Sequence, residues 1–174
     1  MYIAKKLHKT NLVAYVLYMY QVEDIIRSYD LDMERIEGEF LPNYEYDDEQ
    51  LDEAYSWWEG LVRMMKEEGC QQRGHVQVVK NTIFLLTDRH KELLKDEKMP
   101  FYSAAYYKAL PFIVELRSKG DGKRKPELET CLDAVYGLTL LKMQNKPVSA
   151  ETSAAISAIS HLLNMLAENY SPTT

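Results

Sequence analysis

The chain has 174 residues, of which 46% are hydrophobic and 28% charged, and its formal net charge is −6. This balance is typical of a globular protein, and the length favours a single domain, 1–174, with a core of its own. The acidic total argues against broad nucleic-acid binding, which needs a basic surface. Disorder is expected only at the ends, chiefly in a frayed tail at about 171–174.

The amino-terminal segment combines basic residues with an apolar run, as a signal peptide or membrane anchor does. Lys5, Lys6 and Lys9 precede the run LVAYVLYMYQV at 12–22. The run is only about half of the ~20 residues that a membrane span needs. Acidic residues follow where a signal peptide would carry its small-residue cleavage site. We therefore expect an uncleaved segment and no membrane partner.

The two cysteines, Cys70 and Cys131, form neither a CxxC motif nor a zinc-binding spacing. Two distant thiols are typical of reduced, intracellular proteins, although a single disulfide between them is compatible with the sequence. We expect a cytoplasmic protein.

Helical periodicity dominates the chain, and strand signals are scarce. Seven helices are predicted, at about 11–28, 32–40, 48–68, 74–96, 101–119, 126–144 and 150–169. Thr10 or Asn11 is expected to cap the first helix and Ser149 the last. Pro111, inside the fifth, predicts a kink or two abutting helices. Because the connections are short, we predict an all-α, single-domain antiparallel bundle of six to seven helices, with the first and fourth most buried.

Three stretches carry a resemblance to a known family. They are YMYQVEDIIR at 18–27, RGHVQVVKNTIFLLTDRH at 73–90 and NKPVSAETSAAI at 145–156. Together they resemble an uncharacterised all-helical bacterial family, domain of unknown function 4924, of the Bacteroidetes. The resemblance covers the whole chain and implies a cytoplasmic helical protein. It implies no catalytic residue, because none is assigned in the family.

The sequence offers no catalytic or metal-binding motif. None of the four histidines has an acid three residues before it, so the Glu-x-x-His pair of di-iron bundles is absent. The stretch GCQQRG at 69–74 has the glycine spacing of a phosphate loop, but a helix-breaking turn is favoured because His75 and Val76 replace the required Lys and Ser or Thr. Cys70 has cations and acids equally near in sequence, which gives no basis for an activated thiol. We expect no metal and no cofactor.

The basic loop at 119–125 is open to two interpretations. Lys119, Lys123, Arg124 and Lys125 could meet an anionic partner, or they could simply be solvated.

Several polar residues fall on apolar helix stripes. Glu23 lies one turn from Met19 and Ile26 on the first helix, and His90 has a similar position on the fourth. A buried carboxylate is costly unless it is paired, so Glu23 is expected to bond Arg27, a tyrosine hydroxyl or a histidine. His75 lies at the start of the fourth helix. Glu23, Arg27, His75 and His90 therefore form the predicted set, either as a ligand site or as a buried polar cluster.

Two helices bear on partners. Trp57 and Trp58 point about 100° apart on the third helix, so one of them is expected to face a partner or a pocket. The small residues at 153–160 predict a close helix contact, either inside the bundle or at a dimer seam.

Two functional hypotheses follow. The first is a non-enzymatic interaction or scaffold protein, acting as a homodimer or with an unknown protein partner, without nucleic acid. The alternative is a small-molecule-binding protein or enzyme with a polar pocket around Glu23, Arg27, His75 and His90. A third, weaker hypothesis is a regulator that binds nucleic acid through a local basic face.

Overall fold

The computed structural model describes residues 1–119 and 125–170, and 79% of these residues are helical. Within them no strand is present, which confirms the all-α prediction. The α-helices are α1 (Tyr2–Thr10), α2 (Leu12–Ser28), α3 (Met33–Arg35), α4 (Asp48–Glu67), α5 (Gln77–Lys95), α6 (Pro100–Ser118), α7 (Glu127–Met143) and α8 (Ala150–Glu168). Most of the predicted basic loop, 120–124, and the predicted frayed tail, 171–174, lie outside the described residues.

The helix α1 is the one α-helix that the sequence did not predict. It has nine residues, and a helix this short is marginal unless it packs on something. Here it packs on α2. Asn11 separates the two, with an extended backbone (φ −160°) and a side chain that accepts a hydrogen bond from the Ala14 N–H at 2.9 Å. The predicted cap of α2 at Asn11 is thereby confirmed.

The predicted helix at 32–40 is divided into two parts. It begins as α3 and continues as a π-helical turn, Ile36–Phe40, followed by a 3-10 turn, Leu41–Asn43. Ile36 and Leu41 are fully buried, so the segment is packed despite its irregular hydrogen bonding. Asp47 then opens α4 through a capping box with Gln50.

The helix α6 runs without interruption through Pro111. Of the two alternatives predicted there, the two abutting helices are not formed, because one helix spans the position. Proline leaves the carbonyl of Tyr107 without its partner in the helix. Both Tyr107 and Pro111 lie on the exposed side of α6, where water can satisfy that carbonyl.

The core joins side chains from α1, α2 and α4–α8 in one cluster. Within the described helices, α2 and α5 contribute the most buried residues, as predicted for the first and fourth helices. The helix α2 contacts α1, α4, α5, α7 and α8, so it is central. The most extensive helix pairing joins α6 and α8, where the predicted small residues of 153–160 lie. Among the described residues, no helix is long and apolar enough to cross a membrane.

Candidate functional site

The carboxylate of Glu23 is fully buried where α2 meets the start of α5. Its Oε1 accepts a hydrogen bond from the Val76 N–H at 2.9 Å, and its Oε2 lies 2.6 Å from His75 Nδ1. Val76 is the N-cap residue of α5 and has no side chain that can cap a helix. Glu23 therefore supplies from another helix the negative charge that the positive end of α5 favours.

A second carboxylate completes the start of α5. The Gln77 N–H donates to Glu68 Oε2 at 2.5 Å. Glu68 directly follows α4, whereas Glu23 belongs to α2. The amide groups of Val76 and Gln77 are therefore bonded by acids from two different parts of the chain.

His75 is held on two sides. An ionised carboxylate only accepts hydrogen bonds, so the ring donates from Nδ1 to Glu23. The ring also stacks on Tyr20, with centroids 3.8 Å apart and planes 6° apart. Its side chain is 17% exposed. The histidine is thus fixed in orientation by α2, through both its edge and its face.

Arg27 ties the α4–α5 loop to α2. Its Nε and Nη2 both donate to the Cys70 carbonyl at 3.2 Å, and Nη2 also donates to the Gly74 carbonyl. Its Nη1 bonds Asp24 Oδ1 at 2.9 Å. The guanidinium therefore bonds two carbonyl groups of one loop and the carboxylate of one acid.

The loop that Arg27 holds needs unusual backbone angles. Gly69 and Gly74 have φ angles of +71° and +85°, a region that glycine adopts without strain. The turn predicted over 69–74 is therefore present. Its Cys70 and Gly74 carbonyl groups accept hydrogen bonds from Arg27, a cation of the protein itself.

The predicted pairing of Glu23 with Arg27 is not formed. Arg27 pairs with Asp24, one residue further along α2, because Glu23 turns toward the two donors at the start of α5. Of the three partner types expected for Glu23, the histidine is the one present.

Two tyrosines border this cluster. The Tyr136 hydroxyl of α7 donates to Asp24 Oδ2 at 2.8 Å. The Tyr20 hydroxyl is buried and makes no hydrogen bond of standard geometry within the described residues, although the Asp133 carboxylate is near enough to interact with it. Burial raises the pKa of Tyr20 far above its usual range, and the carboxylates of Asp133, Glu129 and Glu23 add to that increase. Tyr20 is therefore neutral and acts through its ring.

His90 lies apart from the other three predicted residues. It lies 13 residues beyond the first residue of α5, about 20 Å along the helix, whereas His75 precedes that helix. Its Nδ1 lies 2.6 Å from the Tyr102 hydroxyl, and its ring also contacts Tyr106. Burial lowers the pKa of His90 to about 4, with a smaller contribution from Lys91. His90 is thus a neutral, hydrogen-bonded part of the α5–α6 contact.

Neither thiol is activated. Cys70 and Cys131 are free and buried. Burial raises the pKa of Cys131 to about 12 and also raises the pKa of Cys70, on which Lys80 acts in the opposite direction. In the part of the chain that the structure describes, no three acidic, histidine or cysteine side chains are grouped to hold a metal.

The structure therefore unites Glu23, Arg27 and His75 at the α2–α5 junction, which we call the junction cluster, and places His90 elsewhere. Sequence reasoning missed the Val76 amide, because a backbone donor has no residue signature. It also missed the Tyr20 ring. Tyr20 lies one turn before Glu23 on α2, and that spacing was a usable signal.

The fold and the junction cluster define an all-α protein organised around a buried carboxylate–histidine pair. The chain belongs to the family described as Domain of unknown function (DUF4924), which matches residues 1–174. No curated protein and no solved structure matches the chain.

Proposed function

We propose that this protein is a non-enzymatic, cytoplasmic interaction protein that associates with a second copy of itself through an apolar surface of α2 and α7. The observation that carries the proposal is the exposed apolar character of α7. Residues 134–141 read AVYGLTLL and contain no charge, yet each of them is half-buried or exposed. A helix that is apolar around its circumference is normally buried on all sides.

A groove between α2 and α7 extends this surface. It has a volume of about 480 Å³, and its lining is mostly apolar. The apolar lining residues are Leu17, Tyr18, Ile25, Tyr136, Leu140 and Met143. Met143 is 66% exposed at the end of α7. Large exposed apolar surfaces of this kind mark interaction sites in soluble proteins.

The charges near the groove do not oppose association. Asp24 is the one acid in the described lining, and both Arg27 and the Tyr136 hydroxyl bond it. Two copies of an acidic chain could therefore approach here without bringing unpaired carboxylates together.

A second copy is the occupant that this geometry supports best. A two-fold interface uses the same patch on both chains, so the patch must complement itself. The α2–α7 surface has both a concave apolar part and, at its edge, an exposed apolar side chain, Met143. The exposed face of α6, with Phe101, Tyr107 and Val114, has charged residues between its apolar ones, Lys108 and Glu115.

The junction cluster has a structural role in this proposal. Both oxygens of Glu23 and the short contacts of Arg27 are taken up by the protein. The alternative of a polar ligand pocket around Glu23, Arg27, His75 and His90 has less geometric support, because His90 lies far from the others.

Light scattering coupled to size-exclusion chromatography tests the proposal. The wild-type protein is expected at twice the chain mass of 20.3 kDa. Met143→Asp places a charge in the interface and is expected to give the single-chain mass. Phe101→Asp changes an 80% exposed residue on α6 and serves as the matched control, with the dimer retained. A wild-type protein of single-chain mass at all concentrations, or a dimer that survives Met143→Asp, would contradict the proposal.

A further inference from the structure

A second groove lies on the opposite side of α2, between α1, α4 and α5. Its volume is about 350 Å³, within the range of small-ligand pockets. The floor is made by core side chains, among them Met19 at 2% and Leu61 at 3% exposure. It is therefore a concavity cut into the core rather than a flat patch.

Aromatic and flexible side chains form the walls. Trp57 and Met64 of α4 are half-buried here, whereas the neighbouring Trp58 is only 2% exposed in the core. Trp57 is thus the tryptophan that faces a groove, as the 100° offset between the pair predicted. Methionine and tryptophan present adaptable apolar surface, which suits a hydrocarbon or aromatic ligand.

The rim is basic. Lys5, His8 and Lys9 of α1 line the entrance, and no acid is present among the described lining residues. His8 packs edge-on against Tyr15, with ring centroids 4.9 Å apart. Lys5 lies 3.9 Å from Glu53, so part of its charge is neutralised. Lys9 has no acidic partner within the part of the chain that the structure describes, which leaves its charge available.

We propose that this groove binds a small amphipathic carboxylate, with the apolar body against Trp57, Met64 and Leu61 and the carboxylate at Lys9 and Lys5. The positive charges at the rim are the reason for proposing a carboxylate. A chain of net charge −6 repels anions in general, so a basic rim that has Glu53 beside Lys5 but leaves Lys9 unpaired within the described residues is the local exception that would admit one. The site is separate from the α2–α7 surface and does not depend on it.

A membrane surface is the competing occupant, because α1 is short, basic and amphipathic. The groove favours a single molecule instead. Its floor is concave and buried, whereas a helix that lies on a membrane presents its own apolar side outward. The buried residue of α1, Ala4, faces the protein core.

Decanoate, used as a monomer below its micellar concentration, is the probe. Saturable binding should change the fluorescence of Trp57, and Trp57→Phe should abolish that change while Trp58 keeps its signal. Decanol, which lacks the carboxylate, should bind up to ~5-fold more weakly, since a surface charge pair contributes up to about 1 kcal/mol. Decylammonium should bind more weakly still.

Two matched pairs of variants locate the site. Lys9→Glu should weaken decanoate binding about 5-fold, whereas Lys6→Glu, on the same helix but outside the groove, should not. Val78→Asp, which lines the groove, should abolish binding, whereas Leu85→Asp, two turns along α5, should not. All four positions are exposed, so folding should be retained.

Three results would overturn the proposal. One is the absence of decanoate binding by the full-length protein, and another is equal affinity for decanol and decanoate. The third is binding to vesicles of anionic phospholipid without binding to monomeric decanoate, which would assign the basic rim to a membrane surface.

Discussion

Glu23 Oε2 and His75 Nδ1 lie 2.6 Å apart, although 52 residues separate them in the sequence. The contact joins the centre of α2 to the start of α5, and Arg27 adds a second connection to the same loop. Because the carboxylate is fully buried, its hydrogen bonds decide whether this junction stabilises or destabilises the fold.

Replacing Glu23 by Gln should lower the free energy of unfolding by about 2–4 kcal/mol. The amide oxygen can still accept from the Val76 N–H, but its NH₂ group can bond His75 Nδ1 only if the ring moves its proton to Nε2, and the charge of the buried pair is lost. Urea denaturation measures the change. Glu97→Gln, at an exposed site, is the control and should stay within about 0.5 kcal/mol of the wild type. An equal decrease in the free energy of unfolding in both variants would contradict the stabilising role of Glu23 at the junction.

Replacing Arg27 by Lys should destabilise the protein by about 1–3 kcal/mol. One ammonium group cannot reach the Cys70 and Gly74 carbonyl groups and Asp24 with the planar geometry of a guanidinium. Hydrogen exchange should also become faster in the loop 69–76. The exposed Arg63→Lys is the matched control, and the prediction is wrong if the two variants exchange alike in that loop.

Replacing Tyr20 by Phe should leave stability unchanged or raise it by up to about 1 kcal/mol, since the buried hydroxyl makes no hydrogen bond of standard geometry within the described residues. The phenyl ring keeps the stacking on His75. Tyr102→Phe should have the opposite effect and destabilise by about 1–2 kcal/mol, because it removes the 2.6 Å contact with His90. Thermal or urea unfolding of the two variants in parallel would distinguish them.

His90 should make the protein less stable as the pH falls from about 6.5 to about 4. Its pKa is 6.5 without the fold and about 4 within it, so the unfolded chain takes up the proton first. Its contribution is complete above pH 6.5 and is lost progressively below that, at up to about 1.4 kcal/mol per pH unit.

The comparison of variants isolates this residue from the carboxylates that titrate in the same range. His90→Gln should lose less stability between pH 7 and pH 4 than the wild type, by up to about 3 kcal/mol. His161→Gln, at an exposed histidine, should lose as much as the wild type. Curves of stability against pH that run parallel for all three proteins would contradict the lowered pKa of His90.

The helices and the inward direction of Glu23 could be predicted because both follow from periodicity along the chain. The helix α1 could not, since nine residues carry too little pattern and depend on packing against α2. The same limit applies to the partners of Glu23. Helical spacing shows that a carboxylate is buried, but only the meeting of α2 and α5 selects His75 and the Val76 amide over Arg27.

The two grooves were also outside the reach of the sequence. One of the two adjacent tryptophans could be predicted to face a partner or a pocket, but not that it is Trp57, whose groove is formed jointly by α1, α2, α4 and α5. The α7 surface has a local signal, the uncharged run at 134–141, but such a run is equally typical of a fully buried helix. Burial on one side only depends on how α7 packs against its neighbours.

Oxidation of the methionines by dilute hydrogen peroxide tests the proposed α2–α7 interface most directly. Met143 is 66% exposed on the single chain, so its thioether is open to the oxidant unless another chain covers it. The initial rates for the eight methionines can be followed by mass spectrometry at low and high protein concentration. The proposed dimer predicts that oxidation of Met143 becomes slower as the concentration rises, while the rates at the other methionines stay the same. A Met143 rate that is independent of concentration and equal to that of the unfolded chain would contradict the proposal.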